Sequence, residues 1–433
     1  MTAVSGEPNQ KTTPSSSKIV LATTLVKSWK APIGLGIFAV VAIVLFWVFG
    51  RDGVSTFKIS DIGDFFHIPS AQLPTRATGI VLPIILVLLA FYATWTVYRG
   101  RKVQLWVVIV FALLAVIAFL TWAAAGQTIP LSGLLGGAIA LSVPLTFGAL
   151  GGVISEHVGV VNVAIEGQLL AGAFVASLVA SATHVPVLGL IAAAAAGVLV
   201  SFVLAAFSIK YWVDQVIVGI VLNVLVLGLT NFLYTTVLSP NAATLNTRQI
   251  LPHIKIPLLS DIPIIGPVLF QQTIIEYLMY VVVIVVWYGL FHTRWGLRLR
   301  SSGEHPQASD TVGINVNRTR FWNVSLAGAI AGLGGAYFTL DSVGFFTKDM
   351  TAGRGFIALA AVIFGRWDPI KATLAALLFG FATNLSSVLS VIGSPVPSEF
   401  MLMLPYVVTI FAVAGLVGRV RAPAAEGKPY IKS

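Results

Sequence analysis

Residues 294–320 read RWGLRLRSSGEHPQASDTVGINVNRTR, a polar run set between two long apolar segments. Five arginines (Arg294, Arg298, Arg300, Arg318 and Arg320) flank a middle that reads as a short helix, with Pro306 near its start and Gly313 near its end. In a chain that is 57% hydrophobic such a run cannot lie in lipid, and clustered Lys and Arg hold a loop on the cytoplasmic side of a membrane. The stretch therefore reads as a structured cytoplasmic loop, a docking surface for a soluble partner.

The rest of the chain fits that reading. Charged residues make up 10% of it and the mean hydropathy is +0.93, against about 25% charge in a soluble domain. Apolar runs cover 31–49, 79–98, 103–124, 132–154, 160–181, 186–209, 213–238, 274–293, 321–342, 354–366, 369–391 and 400–418. A helix needs ~20 apolar residues to cross the hydrocarbon core, so the expected fold is an all-α polytopic membrane protein of about twelve transmembrane helices. The run 354–366 is short and follows glycines, and reads as a broken or re-entrant segment lined by protein. The polar start, with Lys11, Lys18, Lys27 and Lys30, precedes a first run read as a retained helix rather than a signal peptide.

Alternating the runs from a cytoplasmic N-terminus tests the orientation. Of the 26 Lys and Arg, only Arg51, Lys58, Arg76, Arg248, Lys255, Lys348 and Arg354 then fall outside. The opposite orientation would invert that bias, so both termini are expected to be cytoplasmic. The expected organisation is a disordered tail at 1–30, accessory helices at 31–125, a core at 126–420 and a cytoplasmic tail at 421–433. The outer loops 50–78 and 239–273 read as surface covering.

Composition also excludes function classes. The net charge of +10 lies at segment ends and in loops, with no basic stripe interleaved with aromatics, so no nucleic acid partner is expected. Cysteine is absent and the six histidines lack metal spacing, so no metal site is expected. No GxxxxGK[ST] loop occurs; Gly427-Lys428 runs into Pro429. The chain is not read as an enzyme, and any nucleotide chemistry falls to a partner.

Three apolar segments carry polar residues. In GALGGVISEHVGVVNVAIEGQLLAGAF, residues 148–174, Asn162 and Glu166 are four apart and are read as sharing one helix face. A carboxylate there faces a cavity or a hydrogen-bond partner rather than lipid. Asn223 and Asn231 lie near one face of the seventh run, where amides suit a hydroxyl-rich solute or another helix. Gly353 and Gly355 bracket Arg354 before the short run, whose N-terminus is expected to present free N–H groups to a polar solute. Asn384 lies deep in the following run. Asn162, Glu166, Asn223, Asn384, Gly353 and Gly355 are the candidate substrate-path residues, with helix–helix packing as the alternative role.

ISEHVGVVNVAIEGQLLAGAF, GLRLRSSGEHPQASDTVGINVNRTRF and TAGRGFIALAAVIFGRWDPIKATLAALLFGFATNL resemble, in this order, the permease subunits of bacterial ABC importers for nucleosides. That group also serves simple sugars and branched-chain amino acids. The resemblance covers most of 130–420 and implies a multi-pass protein of the bacterial plasma membrane. It implies as partners an ABC ATPase that holds ATP and Mg, a second homologous permease chain and an extracellular solute-binding lipoprotein. It further implies that Gly303, Glu304, His305, Pro306, Asp310 and Gly313 belong to the coupling helix seated in the ATPase. Gln168 stands where the resemblance leads one to expect an apolar residue, and 1–125 is longer than it implies. Two alternatives stand beside it: a branched-chain amino acid permease of the same group, and an ion-coupled secondary transporter, which needs a titratable cluster at the midplane.

Overall fold

A computed structural model describes residues 29–60, 66–394 and 422–431, with a few positions between 396 and 403. Among the described residues ten helices are long and apolar enough to cross a membrane. These are α1 (Lys30–Val48), α2 (Thr75–Tyr98), α3 (Leu105–Ala123), α4 (Leu131–His157), α5 (Ile165–Thr183), α6 (Pro186–Lys210), α7 (Gln215–Leu238), α9 (Ile274–His292), α12 (Val316–Ser342) and α14 (Pro369–Val391). Shorter helices are α8 (Ala242–Leu245), α10 (Arg294–Glu304), α11 (Pro306–Thr311) and α13 (Arg354–Phe364). The expected run 400–418 lies outside the described residues, as does almost all of the 1–30 tail.

Local signals set the helix ends. Asp214 accepts hydrogen bonds from the Val216 and Ile217 amides at the start of α7, and Asn315 accepts from Arg318 N at the start of α12. Thr273 and Glu276 form a reciprocal capping box at the start of α9. Between α13 and α14, Arg366 and Trp367 both take left-handed backbone, and Asp368 then caps α14.

α4, α5 and α12 form the centre, with 78%, 72% and 83% of their most apolar windows buried, against 28% for α1 and α9. α12 packs on α4, α5 and α6, while α13 and α14 pack on α4. The outer helices turn Val, Ile, Leu and Phe side chains outward, as a lipid-facing surface requires.

α1–α3 build a separate apolar cluster that meets the core through Leu134 of α4 and Leu385 and Leu389 of α14. A small sheet closes their end: β1 (Val54–Lys58) runs antiparallel to β2 (Ala71–Pro74) and parallel to β3 (Thr128–Pro130). The stretch 50–78, expected as surface loop, thus contributes two strands. β4 (His253–Lys255) and β5 (Gln271–Thr273) pair just before α9.

The contacts sort the connections onto two faces. Gly303 packs on His157, Trp367 meets Glu156, and Val161 N donates to Gln215 Oε1 at 2.7 Å, so 157–163, 293–315 and 365–368 share one face. The tail joins them through Ala425 N and Gly303 O at 2.9 Å. The sheets and 239–273 lie at the opposite helix ends, where Gln249 N and Leu251 N donate to Gly344 O and Leu340 O at 2.8 Å.

Candidate functional site

Two helices begin inside the apolar layer. The chain leaves α4 at His157, doubles back through 158–164 without helix, and starts α5 at Ile165. On the other side, residues 343–353 descend from the opposite face and start α13 beside the first turn of α5. Gly355 approaches Glu166 so closely that a Cβ would collide with its backbone nitrogen. α13 then runs along α4, with Ala358 against Gly148 and Val362 against Gly152, and ends where Trp367 Nε1 donates to Glu156. Its 11 residues span about 16 Å at ~1.5 Å per residue, half a membrane crossing.

The Glu166 carboxylate joins the two starts. Oε1 accepts from Thr351 Oγ1 at 2.6 Å and from Gly353 N at 2.9 Å, and Oε2 accepts from Gly355 N at 2.5 Å. A carboxylate at a helix N-terminus satisfies donors that have no partner within the helix and meets the positive end of its dipole. The expectation of free N–H groups at Gly353 and Gly355 is therefore corrected: Glu166 already holds both.

Asn162 is corrected as well. It precedes α5, so it shares no helix face with Glu166; four-residue spacing has that meaning only inside a helix. Asn162 and Gln168 instead exchange two hydrogen bonds of 3.1 Å, and Gln168 Nε2 also donates to Ser201 Oγ at 2.9 Å. Asn223 accepts from Gly167 N and donates to Val163 O, both at 2.8 Å, and so holds the non-helical segment in place. Asn384 donates to Leu134 O at 2.7 Å, between α14 and α4. Asn162, Glu166, Asn223 and Asn384 are thus hydrogen-bonded within the chain, whereas Asn231 Oδ1 is buried without a partner.

On the other face, the run 294–320 forms two short helices, not one, before α12 begins at Val316. His305 breaks α10 from α11, Pro306 is the first residue of α11, and Gly313 follows its end with φ +85°. The glycine at position 303 lets α10 sit directly on the His157 carbonyl. Glu304 Oε2 accepts from Ala424 N at 3.2 Å, and Asp310 takes the Tyr430 hydroxyl.

A family profile described as "Branched-chain amino acid transport system / permease component" matches residues 134–413. The chain belongs to this permease family. It is 42% identical over 298 residues to the guanosine ABC transporter permease protein NupQ of Bacillus subtilis, covering 67% of this chain and 93% of that protein. It is also 42% identical over 302 residues to the nucleoside ABC transporter permease protein NupC of Lactococcus lactis, covering 67% and 94%. A putative glucose ABC transporter permease protein of Haloferax volcanii, TsgC13, is 33% identical over 258 residues, covering 59% and 77%. No solved structure matches. The chain is therefore a multi-pass plasma-membrane transport component and not an enzyme.

Further polar groups of this permease escape a reading of apolar runs. Glu276 in α9 and Asp341 at the end of α12 lie within electrostatic range of each other and of Tyr337. The Asp341 Oδ1 and Tyr280 hydroxyl oxygens are buried without a hydrogen-bond partner, and the Arg354 guanidinium sits 5.1 Å over the Phe338 ring. The acids are visible in sequence, Glu276 through its Thr273-x-x-Glu276 capping pattern, but each stands alone in its run.

The run 294–320 also carries a groove of about 540 Å³ lined by Arg294, Leu297, Arg298, Val312, Ile314 and Thr319. Leu297 and Val312 are 61% and 75% exposed on a face away from the apolar layer. Of the five arginines, Arg320 is 1% exposed and donates to Lys428 O at 2.8 Å; it faces the protein interior.

Proposed function

We propose that this chain is one permease subunit of an ATP-driven importer that takes up nucleosides. The observation that carries the reading is the match along nearly the whole length of two relatives named for guanosine and for nucleosides. The partners are an ABC ATPase that binds ATP and Mg, a second homologous permease and an extracellular solute-binding lipoprotein. Reconstituted with them in liposomes, the permease should accumulate radiolabelled guanosine only when ATP is present on the ATPase side. Excess unlabelled nucleoside should abolish the signal and excess leucine should leave it intact. Competition by leucine alone would move the cargo to branched-chain amino acids, and accumulation driven by a proton gradient without ATP would sink the mechanism.

The coupling residues Gly303, Glu304, His305, Pro306, Asp310 and Gly313 lie in or beside α10 and α11, and we assign those helices to the ATPase interface. An exposed apolar pair rimmed by arginines is the composition of an interface centre. ATPase closure displaces α10 and α11, and the close seat of Gly303 on His157 carries that displacement into α4 and the half-helix beside it. Placing two carboxylates in the groove, Leu297→Glu with Val312→Glu, should cost at least 2 kcal/mol of binding, roughly a thirtyfold loss of ATPase affinity. Co-purification of the ATPase with the double variant at wild-type yield would show that it docks elsewhere.

A further inference from the structure

The tail 422–431 is not a free cytoplasmic end. It lies across the coupling segment and the inner ends of α4 and α12. Ala425 N donates to Gly303 O at 2.9 Å, Ala424 N to Glu304 Oε2 at 3.2 Å, and the buried Tyr430 hydroxyl to Asp310. From α12, Arg320 Nη1 donates to Lys428 O at 2.8 Å, and the same guanidinium lies against Gly159, just past α4. The Glu426 side chain reaches inward and hydrogen-bonds Glu156 of α4, which also receives the Trp367 indole N–H.

We propose that residues 422–430 are a positioning strap that clamps α10 and α11 to α4 and α12, so that ATPase-driven displacement reaches the half-helix instead of being lost as slippage. This rests on the function proposed above. Both acidic side chains of the coupling segment, Glu304 and Asp310, are engaged by the strap, and the Glu426–Glu156–Trp367 chain ends at the inner terminus of α13. One route therefore joins the partner-facing surface to the segment anchored by Glu166.

The contact also carries a proton. Two carboxyl groups hydrogen-bond to each other only if one of them is protonated, because carboxylates are acceptors alone. The other groups facing the pair are the Trp367 indole and the Asn162 backbone N–H. Of the charged groups around it, Lys428 Nζ donates to Ala424 O and the His157 ring meets Trp367 O, while Arg320 donates to Lys428 O through Nη1 and keeps Nε and Nη2 buried without a partner. Burial pushes the Glu426 carboxyl from its ordinary 4.5 up to about 7. A raised value means that the docked strap binds the proton more tightly than a free one. Docking is then fully favoured below 4.5 and loses this support as pH rises through about 7.

The test uses the complete complex in liposomes and reads solute moved per ATP hydrolysed. Removing residues 422–433 should leave ATP hydrolysis running while that ratio falls about tenfold, the scale of a typical coupling between sites. Glu426→Ala, which leaves Glu156 without its partner from the tail, should behave like the truncation. Glu426→Gln, whose amide donates to ionised Glu156 without a shared proton, should retain the ratio. Between about pH 6 and pH 8 the wild-type ratio should fall and that of Glu426→Gln should stay level. A wild-type ratio in the truncated complex, or a higher one, overturns the strap. If truncation prevents assembly, the two Glu426 variants decide, and equal, pH-independent ratios for both overturn it. Wild-type complex that moves no nucleoside refutes the function proposed above rather than the strap.

Discussion

Uptake is expected to fall to background in a Glu166→Ala permease that still inserts into the membrane. The substitution removes the carboxylate that anchors the start of α13 and strips the acceptor from Thr351 Oγ1, Gly353 N and Gly355 N together. Each donor left unsatisfied in the interior costs roughly 1–3 kcal/mol. Three such losses approach the whole stability of a domain, roughly 5–15 kcal/mol, but they are confined to one short helix. The expected result is therefore local: 349–356 loses its fixed seat while the seam of α4, α5, α6 and α12 holds. Glu166→Gln separates hydrogen bonding from charge. Its amide oxygen keeps one acceptor, but its NH₂ group must face an N–H, so uptake should be intermediate between wild type and alanine. Measuring both variants alongside their thermal unfolding distinguishes loss of the anchor from loss of the chain. Full uptake by Glu166→Ala would show that the half-helix needs no anchor.

The sequence gives up its class, its helices and the coupling segment because these depend on local signals. Apolar runs of membrane length must become helices, and Pro306 and Gly313 bound α11 as their backbone preferences require. The short run before GRWDP was legible as half a crossing for the same reason. What stayed hidden depends on where the chain folds back. Asn162 and Glu166 share a spacing that means one helix face, yet α5 starts only at Ile165, because Asn223, 56 residues from Gly167, holds the preceding segment in non-helical form. Gln168, out of place beside an apolar expectation, is explained by partners at positions 162 and 201. The strap was invisible because a short polar tail has no periodicity, and its partner Arg320 lies 108 residues from Lys428. Apolar patterning tells which segments are buried. It does not say which buried amide meets which carbonyl.

Gly197→Leu is expected to remove the folded permease altogether. α6 crosses α12 along a seam of small residues in which Gly197 meets the Gly328 carbonyl, Gly328 meets Ser201 and Gly332 meets the Ala193 carbonyl. In lipid, helix association draws little on the hydrophobic effect and relies on close backbone approach, so the seam is the main attraction between these helices. A Cβ at Gly197 would land on the Gly328 carbonyl oxygen, and backbone, unlike the tip of a flexible side chain, cannot swing aside. The helices must separate, at a cost of at least 1–3 kcal/mol as a rough overpacking figure, with further loss along the whole contact. α12 is also the most buried helix and leads directly from the coupling segment, so its displacement reaches α4, α5 and the strap at once. Gly228 on α7 is the control: nothing lies within 4 Å of an added Cβ there. Gly228→Ala should purify normally and melt slightly higher, because glycine within a helix is disfavoured by roughly 1 kcal/mol relative to alanine. A Gly197→Leu chain that purified as a monodisperse protein with the wild-type melting temperature would mean that the α6–α12 seam is open in the working permease, and the central packing described here would have to be redrawn.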